Sequence, residues 1–230
     1  MTREVRNAFW NRAEMAERMG NRPPDHRLVA LLDEDANLGP ILDVGCAGGR
    51  NVVAALERGH DAVAFDAADA MVEATRARVA TLVGDAEAER RVQRLDLLDL
   101  GGSWPASVGP FPLVVALGVL QDLPDEEAFR RVLAQLAALT APGGRLLVAN
   151  FGADSQPQGV PLRPVKGHEH VYLGFGEEDR RMTLPDVATL DGWARDVGFV
   201  TDVPTEVVRA ETEAGFRTTL NALYRLHDPR

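Results

Sequence analysis

The segment Ile41-Leu42-Asp43-Val44-Gly45-Cys46-Ala47-Gly48-Gly49-Arg50 sets a carboxylate two residues before a run of small residues. Glycines between a strand and a helix let a ligand approach the backbone closely, and the helix N-terminus offers free N–H groups. A carboxylate at that point repels a pyrophosphate and attracts an ammonium. A dinucleotide fingerprint would read G-x-G-x-x-G; counted from Gly45, its second and third glycine positions hold Ala47 and Arg50. The favoured chemistry is therefore binding of a ligand that carries an amino-acid cation, and an NAD-oxidoreductase is left as a remote alternative that absence of nicotinamide binding would close. A second carboxylate, Asp66, also closes a short apolar run, and the C-terminal ends of parallel strands are where such sheets bind ligands. Cys46 sits beside the turn, but nothing here needs a nucleophile, so it reads as a packed, inert thiol.

Other side chains invite a chemical reading. His168 and His170 stand in Gly167-His168-Glu169-His170, and alternate residues on a strand share a face. No third ligand is identifiable, so no metal site is assigned. Trp10 and Phe9 could close over a cation through cation–π attraction or pack their rings on the sheet. Trp104 and Trp193 read as packing residues. His60, at the corner of ERGHDAVAFD, reads as exposed scaffold.

These residues need elements to position them, and the chain supplies an alternation of short apolar runs and amphipathic helices. A helix is expected over 1–20, with Val5, Phe9, Met15 and Met19 as apolar contacts, and another over 26–35. Strands are expected over 38–44, 60–66, 91–95, 113–117 and 145–150, with helices over 51–58, 68–83 and 124–140 between them. Ala141-Pro142-Gly143-Gly144 reads as the turn that closes the last of these helices. Strands so apolar on both faces belong to a buried parallel sheet with crossover helices on both sides. Residues 152–182 are too long and polar for a plain connection, which suggests a lid or binding loop. A helix over 185–197 and strands over 205–210 and 216–226, read as an antiparallel hairpin, close the chain.

Composition narrows the function. Among 230 residues, 25 Lys and Arg face 35 Asp and Glu, a formal charge of −10. That balance argues against nucleic acid, whose affinity rests on clustered cations, and against an anionic membrane surface. A single cysteine excludes an intrachain disulfide and leaves a cysteine zinc site short of ligands. No secretory leader and no apolar stretch of about 18 residues is present, so a cytoplasmic enzyme is expected.

The turn ILDVGCAGG resembles the first motif of the class I S-adenosylmethionine-dependent methyltransferases, approximately (V/I)LD(V/I)GCGxG, with Ala47 in place of the second glycine. The resemblance covers roughly 38–150, and the C-terminal hairpin agrees with it. It implies a Rossmann-like α/β fold: a doubly wound, mostly parallel seven-stranded sheet ending in an antiparallel hairpin strand, with helices on both faces. The whole of 1–230 is then one domain, with an N-terminal helical cap at 1–37, a cofactor-binding core at 38–150, and a lid insertion, helix and hairpin at 151–230. The implied cofactor is S-adenosyl-L-methionine. Asp66, with Ala67 beside it, matches the acidic residue that binds both ribose hydroxyls, and Met71 is an apolar neighbour of the adenine. Asp96-Leu97 matches the adenine edge, Asp96 accepting from the exocyclic amine. Asp43, Gly45, Ala47, Gly49 and, at the end of the fourth strand, Leu117 complete the expected cofactor set. The loop LVVALGVLQDLPDEE is similar to the small-molecule branch, although the Asp that usually opens this strand is replaced by Phe111-Pro112. LTAPGGRLLVANF resembles the segment "LKPGGRLLV".

The resemblance implies in-line methyl transfer to a small-molecule acceptor. In this fold the acceptor approaches over the ends of the fourth and fifth strands, which nominates Gln121, Asp122, Asn150 and Phe151. His168 and Tyr172 would contribute from the lid and Trp10 from a roof. A hydroxyl acceptor would need a general base, for which His168 or His170 is the candidate; a thiol, amine or halide would not. A non-catalytic cofactor-binding sensor or scaffold is the alternative. Nucleic-acid and protein amino-methyltransferases often carry (N/D)-P-P-(Y/F/W) after the fourth strand, where this chain has Leu117-Gly118-Val119-Leu120.

Overall fold

A computed structural model describes residues 8–100, 109–175 and 180–228; Val5 and Trp104 lie outside them. Seven strands form one mostly parallel sheet in the order β3-β2-β1-β4-β5-β10-β9. Strand β1 (Ile41–Val44) is buried along its whole length, because β2 (Ala62–Asp66) and β4 (Phe111–Leu117) pair with it in parallel, one on each edge. Strand β3 (Val92–Arg94) pairs with β2. Strand β10 (Phe216–Leu226) runs antiparallel to both β5 (Thr140–Phe151) and β9 (Phe199–Glu211). The expected fold class is the observed one. The chain forms two compact units, residues 2–115 with 139–144 and residues 116–138 with 145–230.

In the first unit the N-terminal helix is broken. Residues 8–10 are helical, Arg12 is extended, and α1 covers Ala13–Gly20. The break frees Asn11, whose side-chain oxygen accepts from the backbone N–H of Ala70 at 2.8 Å. Helix α2 (His26–Glu34) is capped by Asp25, which accepts from the N–H of Arg27, satisfying one of the donors a helix start leaves unpaired. Helix α3 (Arg50–Glu57) leaves the glycine turn, and α4 (Asp69–Val83) follows β2. A further helix, α5 (Asp85–Arg91), was not expected; Gly84, at φ 84°, ends α4 and begins it. Its Asp85 and Glu87 lie in the first turn and Arg90 and Arg91 in the last, matching the helix dipole at both ends.

Three readings are corrected. His60 is buried at 5% exposure, with Nδ1 2.7 Å from the Leu38 carbonyl and Nε2 3.1 Å from that of Leu32. It ties the end of α2 to the turn before β1 and is not exposed scaffold. Helix α6 (Glu126–Leu139) passes directly into β5, so Ala141-Pro142-Gly143-Gly144 begins a strand. Proline is tolerated at a strand's start, and a Cβ on Gly144 would stand 3.1 Å from the Phe111 carbonyl oxygen. The first arm of the hairpin begins at Phe199, because register shifts between Asn221 and Tyr224 break the alternation that marks a strand.

In the second unit, the segment 152–182 holds a three-stranded antiparallel sheet of β6 (Arg163–Pro164), β7 (Val171–Leu173) and β8 (Met182–Thr183). Helix α7 (Val187–Asp196) follows, and its Trp193 packs on Phe129 and on the ring of His170. Among the described residues, no helix is long and apolar enough to cross a membrane.

Candidate active site

The glycine turn is held by the strand beside it. The N–H groups of Gly45 and Cys46 both donate to the Phe65 carbonyl, and Gly45 and Gly49 have φ of 68° and 82°. Ala47 has φ of 50° and is the only non-glycine among the described residues with positive φ. Two bonds impose this: its N–H donates to Asp66 Oδ2 at 2.9 Å, and its carbonyl accepts from Thr75 Oγ1 at 2.7 Å. An L-residue there is strained by about 1–2 kcal/mol. Ala47→Gly is expected to stabilise the protein by about 0.5–1 kcal/mol once the greater chain entropy of glycine is subtracted. Thermal unfolding reads this as a Tm rise of about 2 °C; a lower Tm would show that the packing of the Ala47 methyl outweighs its strain.

Asp43 is buried at 3% exposure, and among the described residues its Oδ2 has no hydrogen-bond partner. Burial pushes its carboxyl up to about 7, the nearby Asp66 adds to that push, and Arg50 and the Val52 N–H pull against it. Asp66 bridges two loops, accepting from Ala47 through Oδ2 and from the N–H of Ala68 through Oδ1 at 3.0 Å. Asp96 is buried, with Oδ1 accepting from the N–H of Leu98 at 3.0 Å, and opens the 3₁₀ turn that contains Leu97. Met71 is buried in an apolar cluster with Ala16 and Ala68, against which Ala47, Met15, Met19 and Trp10 pack. Trp10, nominated as a roof for the acceptor, thus joins the residues nominated for the cofactor. Leu117 belongs to the second unit, half-buried at the end of β4.

The acceptor candidates of the second unit are each held by their own contacts. Gln121 Nε2 donates to the Gly118 carbonyl at 2.6 Å. Asn150 Nδ2 donates to the Phe151 carbonyl at 2.9 Å and that of Thr183 at 3.4 Å. Those carbonyls fix both amides with nitrogen inward, and the oxygens Gln121 Oε1 and Asn150 Oδ1 stay buried without partners. Thr183 Oγ1 donates to the Leu123 carbonyl, and Asp122 pairs with Arg180 at 2.6 Å, both side chains close to nine-tenths buried. His168 Nδ1 lies 2.8 Å from Glu126 Oε2. His170 instead packs edge-on against Trp193. The two histidines lie in a turn and bend, not a strand, so the shared-face argument for a metal does not apply to them. Tyr172 sits on β7, packed with Phe151 and Phe175 against Leu162, Met182 and Leu184.

Comparison with known proteins decides the family. A family model described as a methyltransferase domain matches residues 42–146. The ubiquinone biosynthesis O-methyltransferase of Xanthomonas euvesicatoria pv. vesicatoria is 31% identical over 189 residues, covering 80% of this chain and 73% of that protein. This chain is a class I S-adenosylmethionine-dependent methyltransferase. The Xylella fastidiosa (strain 9a5c) enzyme of the same name is 32% identical to the methyltransferase, over 80% of the chain and 71% of its own. Two solved structures share the fold. The 1,6-didemethyltoxoflavin-N1-methyltransferase of Burkholderia thailandensis, with S-adenosylhomocysteine, has a TM-score of 0.62 at 20% identity, covering 98% of this chain and 83% of that one. The magnesium protoporphyrin IX methyltransferase of Synechocystis PCC 6803, also with S-adenosylhomocysteine, has a TM-score of 0.65 at 17% identity, covering 96% and 99%.

The methyltransferase uses S-adenosylmethionine, and its own residues fit that group. An orphaned carboxylate oxygen on Asp43, in a turn crowded by a second carboxylate, suits a cation. Residues missed from the sequence stand behind those found. Thr75 holds Ala47, Asn11 caps α4, Arg180 neutralises Asp122, and Glu126 engages His168. Only Glu126 left a trace, as part of an acidic first turn, and nothing local ties it to a histidine 42 residues away.

Proposed function

We propose that this small-molecule methyltransferase methylates a hydroxyl oxygen, with His168 as the general base. The observation that carries the reading is the Glu126–His168 bond. Nδ1 is engaged by a carboxylate, and among the described residues Nε2 makes no hydrogen bond. A histidine held so is built to accept a proton at Nε2. The two partnerless amide oxygens of Gln121 and Asn150 support it, since buried acceptors without donors suit a ligand that brings O–H groups. The curated relatives are named O-methyltransferases, which agrees.

When bound, S-adenosylmethionine would supply a methyl group activated by a sulfonium whose leaving group is a neutral thioether. Asp43 holds the ammonium of the amino-acid moiety, Asp66 accepts from the ribose hydroxyls, and Asp96 accepts from the adenine amine. Gln121 and Asn150 orient the acceptor, and His168 Nε2 takes the hydroxyl proton as the new bond forms. Tyr172, Phe151 and Phe175 offer apolar surface to the body of the acceptor.

The test is a panel of phenols, alcohols, thiols and amines with labelled methyl donor, followed by His168→Gln on whichever substrate turns over. Label on oxygen and a loss of about 10²–10⁴ in kcat are expected. Label on nitrogen, sulfur or carbon, or an undiminished His168→Gln enzyme, would overturn the reading.

A further inference from the structure

Glu126 opens α6, where a carboxylate complements the helix dipole. Its two oxygens also reach across to the segment that carries His168. Oε1 accepts from the backbone N–H groups of Glu169 and His170, both at 2.8 Å, and Oε2 meets His168 Nδ1 at 2.8 Å. The side chain is only 16% exposed, and that of His168 is 28% exposed. Burial works to raise the Glu126 carboxyl, but the His170 N–H, the His168 ring, Glu126's own N–H and the Glu169 N–H outweigh it and hold the group at about 2. Glu126 is therefore an acceptor at every working pH. An ionised carboxylate cannot donate, so Nδ1 of His168 carries a proton and the lone pair belongs to Nε2.

We propose that Glu126 is the positioning residue for the methyl-transfer base: one oxygen pins the turn that carries His168, and the other fixes Nε2 as its basic nitrogen. The inference rests on His168 being the base, and goes beyond it by assigning the group that sets the ring's tautomer and place. The two backbone bonds matter as much as the ring contact. They fix the carboxylate plane, so Oε2 has one direction in which to meet the imidazole. His170 shares the clamp through its N–H alone, since its ring lies edge-on to Trp193. The exposed Glu169 carboxylate is 3.9 Å from His170 Nε2; among the described residues it makes no ion pair with His168.

Glu126→Gln separates position from tautomer. The glutamine oxygen still accepts the two backbone N–H groups, which leaves its amide nitrogen, a donor, facing Nδ1. His168 must then accept at Nδ1 and carry its proton on Nε2, where it can no longer act as a base. We expect Glu126→Gln to lose about 10²-fold or more in kcat, with S-adenosylhomocysteine affinity and Tm close to wild type. Nitrogen NMR of labelled histidine, with His168→Gln identifying the signal, should show the Nδ1–H form in the wild type and Nε2–H in Glu126→Gln. Wild-type kcat in Glu126→Gln alongside a crippled His168→Gln would overturn the role of Glu126 and leave the base standing. Full activity in His168→Gln would overturn the base itself. An Nε2–H wild-type ring would overturn the inference even if the Glu126 variant failed to fold.

Discussion

Replacing Asp66 by alanine is expected to weaken S-adenosylhomocysteine binding by about 10²-fold or more, measured by titration calorimetry. The carboxylate has two separable duties. Within the protein it joins the glycine turn to the loop after β2, through Ala47 at 2.9 Å and Ala68 at 3.0 Å. Hydrogen bonds to an ionised group are worth about 1.5–3 kcal/mol each. Losing both leaves the strained Ala47 held by Thr75 Oγ1 alone, with less to keep its φ at 50°. Toward the cofactor the same carboxylate is the proposed acceptor for the ribose hydroxyls, so its removal should take away the contact and the shape of the cradle together. About 3 kcal/mol, the value of two such bonds at the low end, corresponds to roughly 10²-fold in affinity. Asp66→Asn should fall between the two, because one oxygen can still accept while its amide nitrogen faces an N–H. Unchanged affinity in Asp66→Ala would remove Asp66 from the site.

What was legible in the sequence follows from how local each signal is. Asp43 and the turn behind it were readable because strand, glycines and helix start fall within ten residues, and each leaves its own mark on composition. Asp66 stood out because a short apolar strand ends on it, whereas Asp96 lies two residues beyond β3 and opens the 3₁₀ turn. Even here the sequence suggested for Asp66 only a cofactor contact, whereas its carboxylate braces Ala47 from 19 residues away.

His60 was misread for the same physical reason that Glu126 was overlooked. A histidine after a helix-ending glycine looks exposed, and only the fold brings the carbonyls of Leu32 and Leu38 to its two ring nitrogens. The acidic first turn of α6 is a common helix start, and only the course of 152–182 places His168 beside it. That segment's glycines, prolines and polar residues gave it away as more than a connection. The two- and three-residue strands within it are too short to carry a period. Glu126, Arg180 and Thr183 all act between segments far apart in sequence. The residues on which chemistry was expected left local marks in the sequence, and the groups that hold them did not.

Cofactor binding by this enzyme is expected to release protons and to tighten with pH. Asp43 is buried beside Asp66, its Oδ2 has no partner, and its carboxyl is pushed up to about 7. In the free protein the folded state therefore holds a proton that the unfolded chain gives up near its ordinary value of 3.8. The sign follows directly: stability from this group is greatest in acid and is lost as pH rises from about 4 to about 7. A bound ammonium favours the charged form and brings the carboxyl back down. Binding at pH 6 should then expel close to one proton, and binding at pH 8 almost none. With a free-protein value near 7, affinity for S-adenosylhomocysteine should be about tenfold higher at pH 8 than at pH 6. Calorimetry in buffers of different ionisation enthalpy reads the proton count directly. Asp43→Asn should bind more weakly, release no proton from this position, and unfold at a higher temperature than the wild type at pH 8, because it buries no charge. Proton uptake on binding, or the same proton release in Asp43→Asn as in the wild type, would show that another group holds the ammonium.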